Sequence, residues 1–245
     1  LVELLVKEGY PVRVLARKLS NIEYLKRLGV EIYFGDVADK ESLKSAFEGV
    51  NLVVHAAAGT SGNKKDCEAG TIQGTLNVLE LCKANNIPKL IYISSCSVYG
   101  VADYKEGQIV REESSLERFP SKRGDYSASK QQAESFVIDA MKNMGLPIVI
   151  LRPGTIYGSG GDIFTPMLGF SAMNKVFVVI GNGKFELPFV YVDNLVDAII
   201  KAIQDDKANN QVFNIVDSER INKRTYMNKL IKRLHPNSFV FYFPY

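Results

Sequence analysis

Apolar positions along this chain come in short continuous runs separated by longer amphipathic stretches. Leu1, Leu4, Leu5 and Val6 recur at helical spacing and stop at Gly9, a residue suited to a helix end. Val12, Val14 and Leu15 predict a short strand, and a helix over 21–28 stops at Gly29. A strand over 30–34 follows, then a helix over 39–47 with Asp39 placed to cap it. Leu52–His55 is a third apolar run, and a long helix near 66–84 leads to the strand Leu90–Ile93. Short apolar strands with helices between them imply a parallel sheet covered on both faces. The expected class is therefore α/β, doubly wound and Rossmann-like.

From Ser97 to Asp125 the pattern lapses into a polar loop. A strong helix then runs from Tyr126 to about Met144, and Pro147–Leu151 is another buried strand. After Arg152 and Pro153 the character changes to Gly-rich turns and short strands over 176–180 and 189–191. A helix over 192–203, a strand over 211–215 and a helix near 222–234 complete the pattern. The expected organisation is a main domain over 1–152 and a small C-terminal lobe over 153–245, interleaved with the last strands of the sheet.

Composition narrows the function classes. Apolar residues make up 46% of the chain, enough for a sizeable core. A formal charge of +3 without a Lys/Arg-rich run gives no reason to expect a nucleic-acid or membrane partner. No stretch approaches the ~20 apolar residues that span a bilayer. Cys67, Cys82 and Cys96 are an odd number with no CxxC pair, which reads as reduced thiols and a cytoplasmic location. No metal site is read.

The strongest chemical signal is Tyr126-Ser127-Ala128-Ser129-Lys130 at a helix start. Tyr and Lys four apart share a helix face. A phenol ordinarily titrates near pH 10, and an adjacent ammonium favours its ionised form. Lowering that value by ~3 units takes about 4 kcal/mol, so Lys130 is expected to depress Tyr126. Upstream, Leu90–Ile93 ends in Ser94-Ser95-Cys96-Ser97-Val98-Tyr99-Gly100, and ligands of open parallel sheets bind outside such strand ends. Ser95 is the first candidate there. Ser94 and Ser97 are more simply read as hydroxyls bonding backbone.

ISSCSVYG, YSASK and LRPGTIYG (Leu151–Gly158), with HAAA (His55–Ala58) and FVYVDNL (Phe189–Leu195), resemble the extended short-chain dehydrogenase/reductases, the epimerase/dehydratase group. The chain is also similar to the 3β-hydroxysteroid dehydrogenase and dihydroflavonol reductase branches. The resemblance implies a dinucleotide-binding domain over 1–152 and a substrate lobe over 153–245. It makes Ser95, Tyr126 and Lys130 catalytic, with Ser95, Ser97 and Thr155 toward the substrate. Asp36 and Val37 fall near the adenine, His55, Ala56, Ala57 and Ala58 along the cofactor, and Pro153, Thr155 and Ile156 beside the nicotinamide. His55 is given no proton-transfer role. Arg17 and Lys18 follow the second strand of the family's sheet, where an acid usually meets the ribose 2′-hydroxyl of NAD, so NADP is expected, with NAD possible. A homodimer and a small-molecule substrate are implied too.

Three departures qualify this. The family's opening strand and GxxGxxG turn are not in the sequence, which is therefore expected to be N-terminally truncated, with a gap in the sheet where a central strand would lie. Thr71 stands where the family has an Asn that supports a proton path. Leu187 and Pro188 replace an Arg-Asp that grips a sugar-nucleotide diphosphate, a bidentate contact leucine cannot make. The expected activity is hydride transfer at a secondary alcohol or ketone carbon of a sugar nucleotide or a steroid- or flavonol-like alcohol. The alternative is a non-catalytic dinucleotide sensor or scaffold, or an inactive fragment.

Overall fold

The structure, a computed structural model, describes residues 1–243 apart from 62, 101–103, 106, 163, 166 and 174. Two compact units are present, Leu1–Arg152 with Val196–Asn214, and Pro153–Leu195 with Ile215–Tyr245.

The first unit opens with α1 (Val2–Lys7), β1 (Arg13–Ala16), α2 (Glu23–Arg27), β2 (Glu31–Phe34), α3 (Lys40–Phe47) and β3 (Leu52–His55). Asp39 caps α3 as its sequence position suggests, its carboxylate accepting from the Glu41 amide at 3.2 Å. The long helix expected near 66–84 is in three pieces. These are α4 (Lys64–Asp66), a π-helical segment Cys67–Gln73 and α5 (Gly74–Ala84). β4 (Lys89–Ile93) leads to a 3₁₀ turn at Cys96–Val98, a second at Pro120–Arg123, then α6 (Asp125–Asn143) and β5 (Ile148–Pro153).

Parallel pairing joins β3 to β4 and β4 to β5, in a four-stranded sheet ordered β11-β5-β4-β3, where β11 is Val212–Ile215. β1 and β2 pair in parallel as a separate two-stranded sheet. β4 and β5 are buried at every residue, the pattern of strands covered on both faces. Leu90, Tyr92, Ile148 and Ile150 pack in one cluster with Leu43 and Phe47 of α3, Val78 and Leu81 of α5, and Val137 and Ala140 of α6. Each such side chain contributes about 1.5–3 kcal/mol by leaving water, so strand ends and helix starts are held firmly.

The second unit has β6 (Thr155–Tyr157), β7 (Gly169–Ala172), β8 (Val176–Ile180), β9 (Glu186–Leu187) and β10 (Phe189–Tyr191). α7 (Val192–Gln204) begins in this unit and runs into the first, while β11 (Val212–Ile215) returns from the first unit to the second. β12 (Ile221–Asn222), α8 (Lys223–Tyr226), a π-helical turn Met227–Ile231, α9 (Lys232–Leu234) and β13 (Phe239–Phe243) complete it. Here the sequence pattern was least informative. The C-terminal aromatic run lies parallel to β8, with Phe239 opposite Val176, and β7 pairs antiparallel on the other side. β6 pairs parallel with β10, so Phe189–Tyr191 is not an isolated strand. Long-range pairings of two to five residues leave little local signature. Leu168, Phe177, Phe189, Tyr226 and Met227 form the core of this unit.

Candidate active site

At the carboxyl end of β4, three local structures bring chemistry together. Ser95 is extended and caps the 3₁₀ turn, its Oγ accepting from the Ser97 amide at 3.1 Å. That leaves the Ser95 hydroxyl proton available to a second partner. α6 starts one residue before Tyr126, and its buried face carries Ser127, Lys130, Ala133, Glu134 and Val137. Tyr126 lies near enough to Ser95 for that hydroxyl to favour the ionised phenol. Lys130, 3% exposed, donates from Nζ to the Ile93 carbonyl at 2.9 Å and sits 5.5 Å from the centre of the Tyr92 ring. Ser95, Tyr126 and Lys130 thus share the end of one strand and the first turns of one helix.

The electrostatics differ from the sequence expectation. Burial pushes the Tyr126 phenol above its usual value, the Ser95 hydroxyl opposes the rise, and Cys67 adds to it. Lys130 does not figure among the causes. Its own ammonium is drawn down to about 8, by burial first and against the opposing pull of Glu134. In the protein alone the tyrosine is therefore a protonated donor. Without a bound cofactor's charge, burial outweighs any pull of the Lys130 ammonium on the phenol.

His55 ends β3, buried and within 3.1 Å of Thr75 Oγ1 through Nε2. Burial, followed by the charge of Lys130, depresses it to about 3, so it is a neutral, hydrogen-bonded ring. Ala56 and Ala57 follow it with exposed methyls, leaving the backbone open to a ligand. Gly59 lies against the helix, where an added Cβ would sit 2.2 Å from the Asp66 carbonyl oxygen. Thr71, in the π-helical segment, accepts from the Gly59 amide at 2.9 Å and so anchors this loop. π-turns of this kind recur at functional sites.

Arg17 and Lys18 are exposed beyond β1, and Arg17's charge helps hold the Asp66 carboxylate down, after the hydrogen bonds from Ser61. Asp36 is exposed beyond β2, with Oδ1 accepting from the Ala38 amide at 2.9 Å, and Val37 lies against Gly74 of α5. Of the three strand-end serines, Ser94 departs from the expected backbone partner. Its Oγ donates to the buried Glu134 carboxylate at 2.5 Å. The buried Ser97 hydroxyl has no hydrogen-bond partner among the described residues.

Pro153, Thr155 and Ile156 belong to the second unit. The Thr155 amide donates to the Pro188 carbonyl at 2.6 Å, and Ile156 is exposed. In the same unit a cavity of about 510 Å³ is lined by Tyr157, Tyr191, Asn194, Asp217 and their neighbours, and the Asp217 carboxylate accepts from Tyr157, Asn194 and the Tyr191 amide. Leu187 is buried in the core of the unit, so no cation occupies its place. Among the described residues no group of His, Cys, Asp and Glu is arranged to hold a metal, and no helix is long and apolar enough to cross a membrane.

The residues fit a nicotinamide dinucleotide in part. The exposed Ala56–Ala57 backbone, the ammonium of Lys130 and the cations Arg17 and Lys18 suit its ribose and phosphate groups, while residues 1–245 contain no GxxGxxG turn for the pyrophosphate.

Residues 1–216 match the model of the NAD dependent epimerase/dehydratase family. A 3β-hydroxysteroid-dehydrogenase/decarboxylase (isoform 1) of Arabidopsis thaliana is 31% identical, over 84% of this chain and 48% of the relative. Human sterol-4-alpha-carboxylate 3-dehydrogenase, decarboxylating, is 30% identical across 100% of this chain and 66% of that protein. The chain thus spans about half to two thirds of these relatives. Among solved structures, a Thermus thermophilus UDP-glucose 4-epimerase in complex with NAD superposes with a TM-score of 0.79 at 22% identity, covering 100% of this chain and 81% of the other. The fold is that of these Rossmann-type epimerases, and the chain belongs to the NAD-dependent epimerase/dehydratase family, a branch of the extended short-chain dehydrogenase/reductases.

Proposed function

We propose that this chain carries the proton-transfer core of an NAD(P)-dependent oxidoreductase acting at a secondary alcohol or ketone carbon. The observation that carries this reading is the convergence of Ser95, Tyr126 and Lys130 at the end of β4, where the Lys130 ammonium donates to the Ile93 carbonyl at 2.9 Å from four residues along the helix that carries Tyr126. When bound, a nicotinamide would supply or accept the hydride. Ser95, whose hydroxyl favours the ionised Tyr126 phenol in the protein alone, would turn that proton to the substrate oxygen once a substrate is bound. Tyr126, protonated in this environment, would donate its proton as a ketone oxygen becomes an alcohol, and recover it in the reverse direction. The orphaned Ser97 hydroxyl is suited to a second contact with the substrate. Lys130, titrating near 8, stays largely charged at neutral pH and would bind ribose hydroxyls while stabilising a tyrosinate.

Arg17 and Lys18, with no acid in residues 15–18, favour NADP over NAD. Buried Leu187 offers no diphosphate grip, which favours an apolar alcohol of the steroid class over a sugar nucleotide, in line with the sterol relatives. The deciding experiment is a titration of the full-length native polypeptide with NADPH and NADH, followed by turnover with a 3-ketosteroid and with UDP-glucose. Tighter NADPH binding and stoichiometric loss of reduced-nicotinamide absorbance with the ketosteroid are expected. Binding of neither dinucleotide would leave the alternative, a scaffold without catalysis.

A further inference from the structure

Behind the reacting groups lies a buried ion pair for which the proton-transfer scheme has no use. Glu134 is fully buried in α6 and Arg152, 3% exposed, ends the part of β5 in the first unit. Arg152 Nη2 meets Glu134 Oε1 at 2.6 Å, and Nε adds contacts at 3.1 and 3.2 Å. The remaining guanidinium nitrogen donates to the Tyr99 hydroxyl at 2.5 Å and the Glu112 carbonyl at 3.0 Å. The carboxylate's other tie is to Ser94, immediately before Ser95.

We propose that Ser94, Glu134 and Arg152 form a clamp that positions the reacting pair, fixing the strand end that carries Ser95 against the helix that carries Tyr126. This rests on the assignment of Ser95 and Tyr126 above. The geometry is direct. Glu134 lies eight residues, about two turns, from Tyr126 on the same helix face, and Ser94 is one peptide from Ser95. A short charge-assisted bond between them sets the separation of strand end and helix, and with it the reach of the Ser95 hydroxyl to the phenol. A buried ion pair adds little net stability compared with apolar packing, so its value here is geometric. The groups facing Lys130 on the other side of this helix face are His55 of β3 and Tyr92 of β4. The Glu134 charge reaches Tyr92 as well, adding to the upward push that burial gives its phenol.

The test needs no substrate, so its failure is separable from failure of the enzyme reading. Tyr126 is replaced by 3,5-difluorotyrosine, whose fluorines acidify the phenol into a range where the protein stays folded, and its ¹⁹F resonance is titrated. Ser94→Ala removes the donor and leaves the ion pair intact. Drawing the Ser95 hydroxyl away should raise the titration midpoint by about 0.5–1 pH unit, the scale of one hydrogen bond. Ser94→Thr restores a hydroxyl and should return the midpoint to that of the parent. A midpoint unmoved in Ser94→Ala, or moved equally in both variants, overturns the clamp. If the midpoint moves and reverts while the full-length protein binds no dinucleotide, the clamp stands and the assigned enzymatic function falls.

Discussion

The first unit contains two sets of parallel strands built on different principles. The end of β4 is over-determined, with every strand residue buried, Ser94 tied to Glu134, Glu134 to Arg152, and Arg152 to Tyr99. The β1–β2 pair has one buried residue, Ala16, and is held from its rim. There Arg13 donates from Nε to Glu31 at 2.7 Å and from Nη1 to the Ala46 and Glu48 carbonyls at 3.1 and 2.8 Å. Proton transfer demands donor and acceptor placed to within about half an ångström. A site that grips a flexible, charged ligand with exposed Arg17 and Lys18 does not. Rigidity is concentrated where the proposed chemistry needs it.

The sharpest way to break this comparison is to remove the reacting proton. Tyr126→Phe keeps the ring and its packing and deletes only the hydroxyl. Turnover with the 3-ketosteroid should fall by ~10²–10⁴, while dinucleotide affinity measured by fluorescence stays within a few-fold. Unchanged turnover would move the chemistry elsewhere.

Next in size is the ion pair. Arg152→Met leaves Glu134 charged, buried and unpaired, at a cost of about 3–5 kcal/mol, read as a lower denaturant midpoint. The double change Arg152→Met with Glu134→Leu removes both charges and should recover most of that loss. The clamp predicts that the double variant, stable again, still shows the displaced Tyr126 titration. Recovery of stability and titration together would reduce the pair to packing.

These residues also show what the sequence could reveal. Alternation of apolar strands and amphipathic helices made the parallel sheet legible, because both faces of β4 and β5 are covered and their central residues, Leu90–Ile93 and Ile148–Leu151, are largely apolar. The four-residue spacing marked Tyr126 and Lys130. Glu134 went unread because a carboxylate inside a helix is normally solvated. A signal did exist. Glu134 follows Lys130 by four residues on the face that turns inward, and such a charge must be paired. Its partner, 18 residues on, sits where the reading saw only a boundary. The weakened acidity of the Tyr126 phenol was beyond sequence reasoning, since desolvation depends on the whole fold. The pairing of β13 was unreadable for a related reason, as its register is fixed by β8, some sixty residues away.

His55 offers an effect on the well-built side that is spread over several pH units. Its folded value, about 3, lies below the ordinary 6.5, so the unfolded chain binds a proton the folded one refuses. Stability from this residue is complete above pH 6.5 and is lost as pH falls from there toward 3. Over that window the slope is about 1.4 kcal/mol per pH unit for one proton. His55→Gln should flatten this part of a melting-temperature profile against pH. An unaltered profile would place the acid-sensitive group elsewhere.

The smallest effect belongs to the loosely built side and separates its two attachments. In Glu31→Gln the guanidinium of Arg13 loses an exposed partner but keeps the Ala46 and Glu48 carbonyls at the end of α3. Exposed ion pairs contribute little, so the melting temperature should not move measurably. Arg13→Ala removes the carbonyl bonds as well, together with stacking on Tyr33 at 4.6 Å. A fall of about 2–4 °C is expected, the scale of roughly 1 kcal/mol in a chain of this length. If the two variants melt alike, the β1–β2 pair is held by its few half-buried apolar contacts and not by the arginine, and the rim is looser than the bonds suggest.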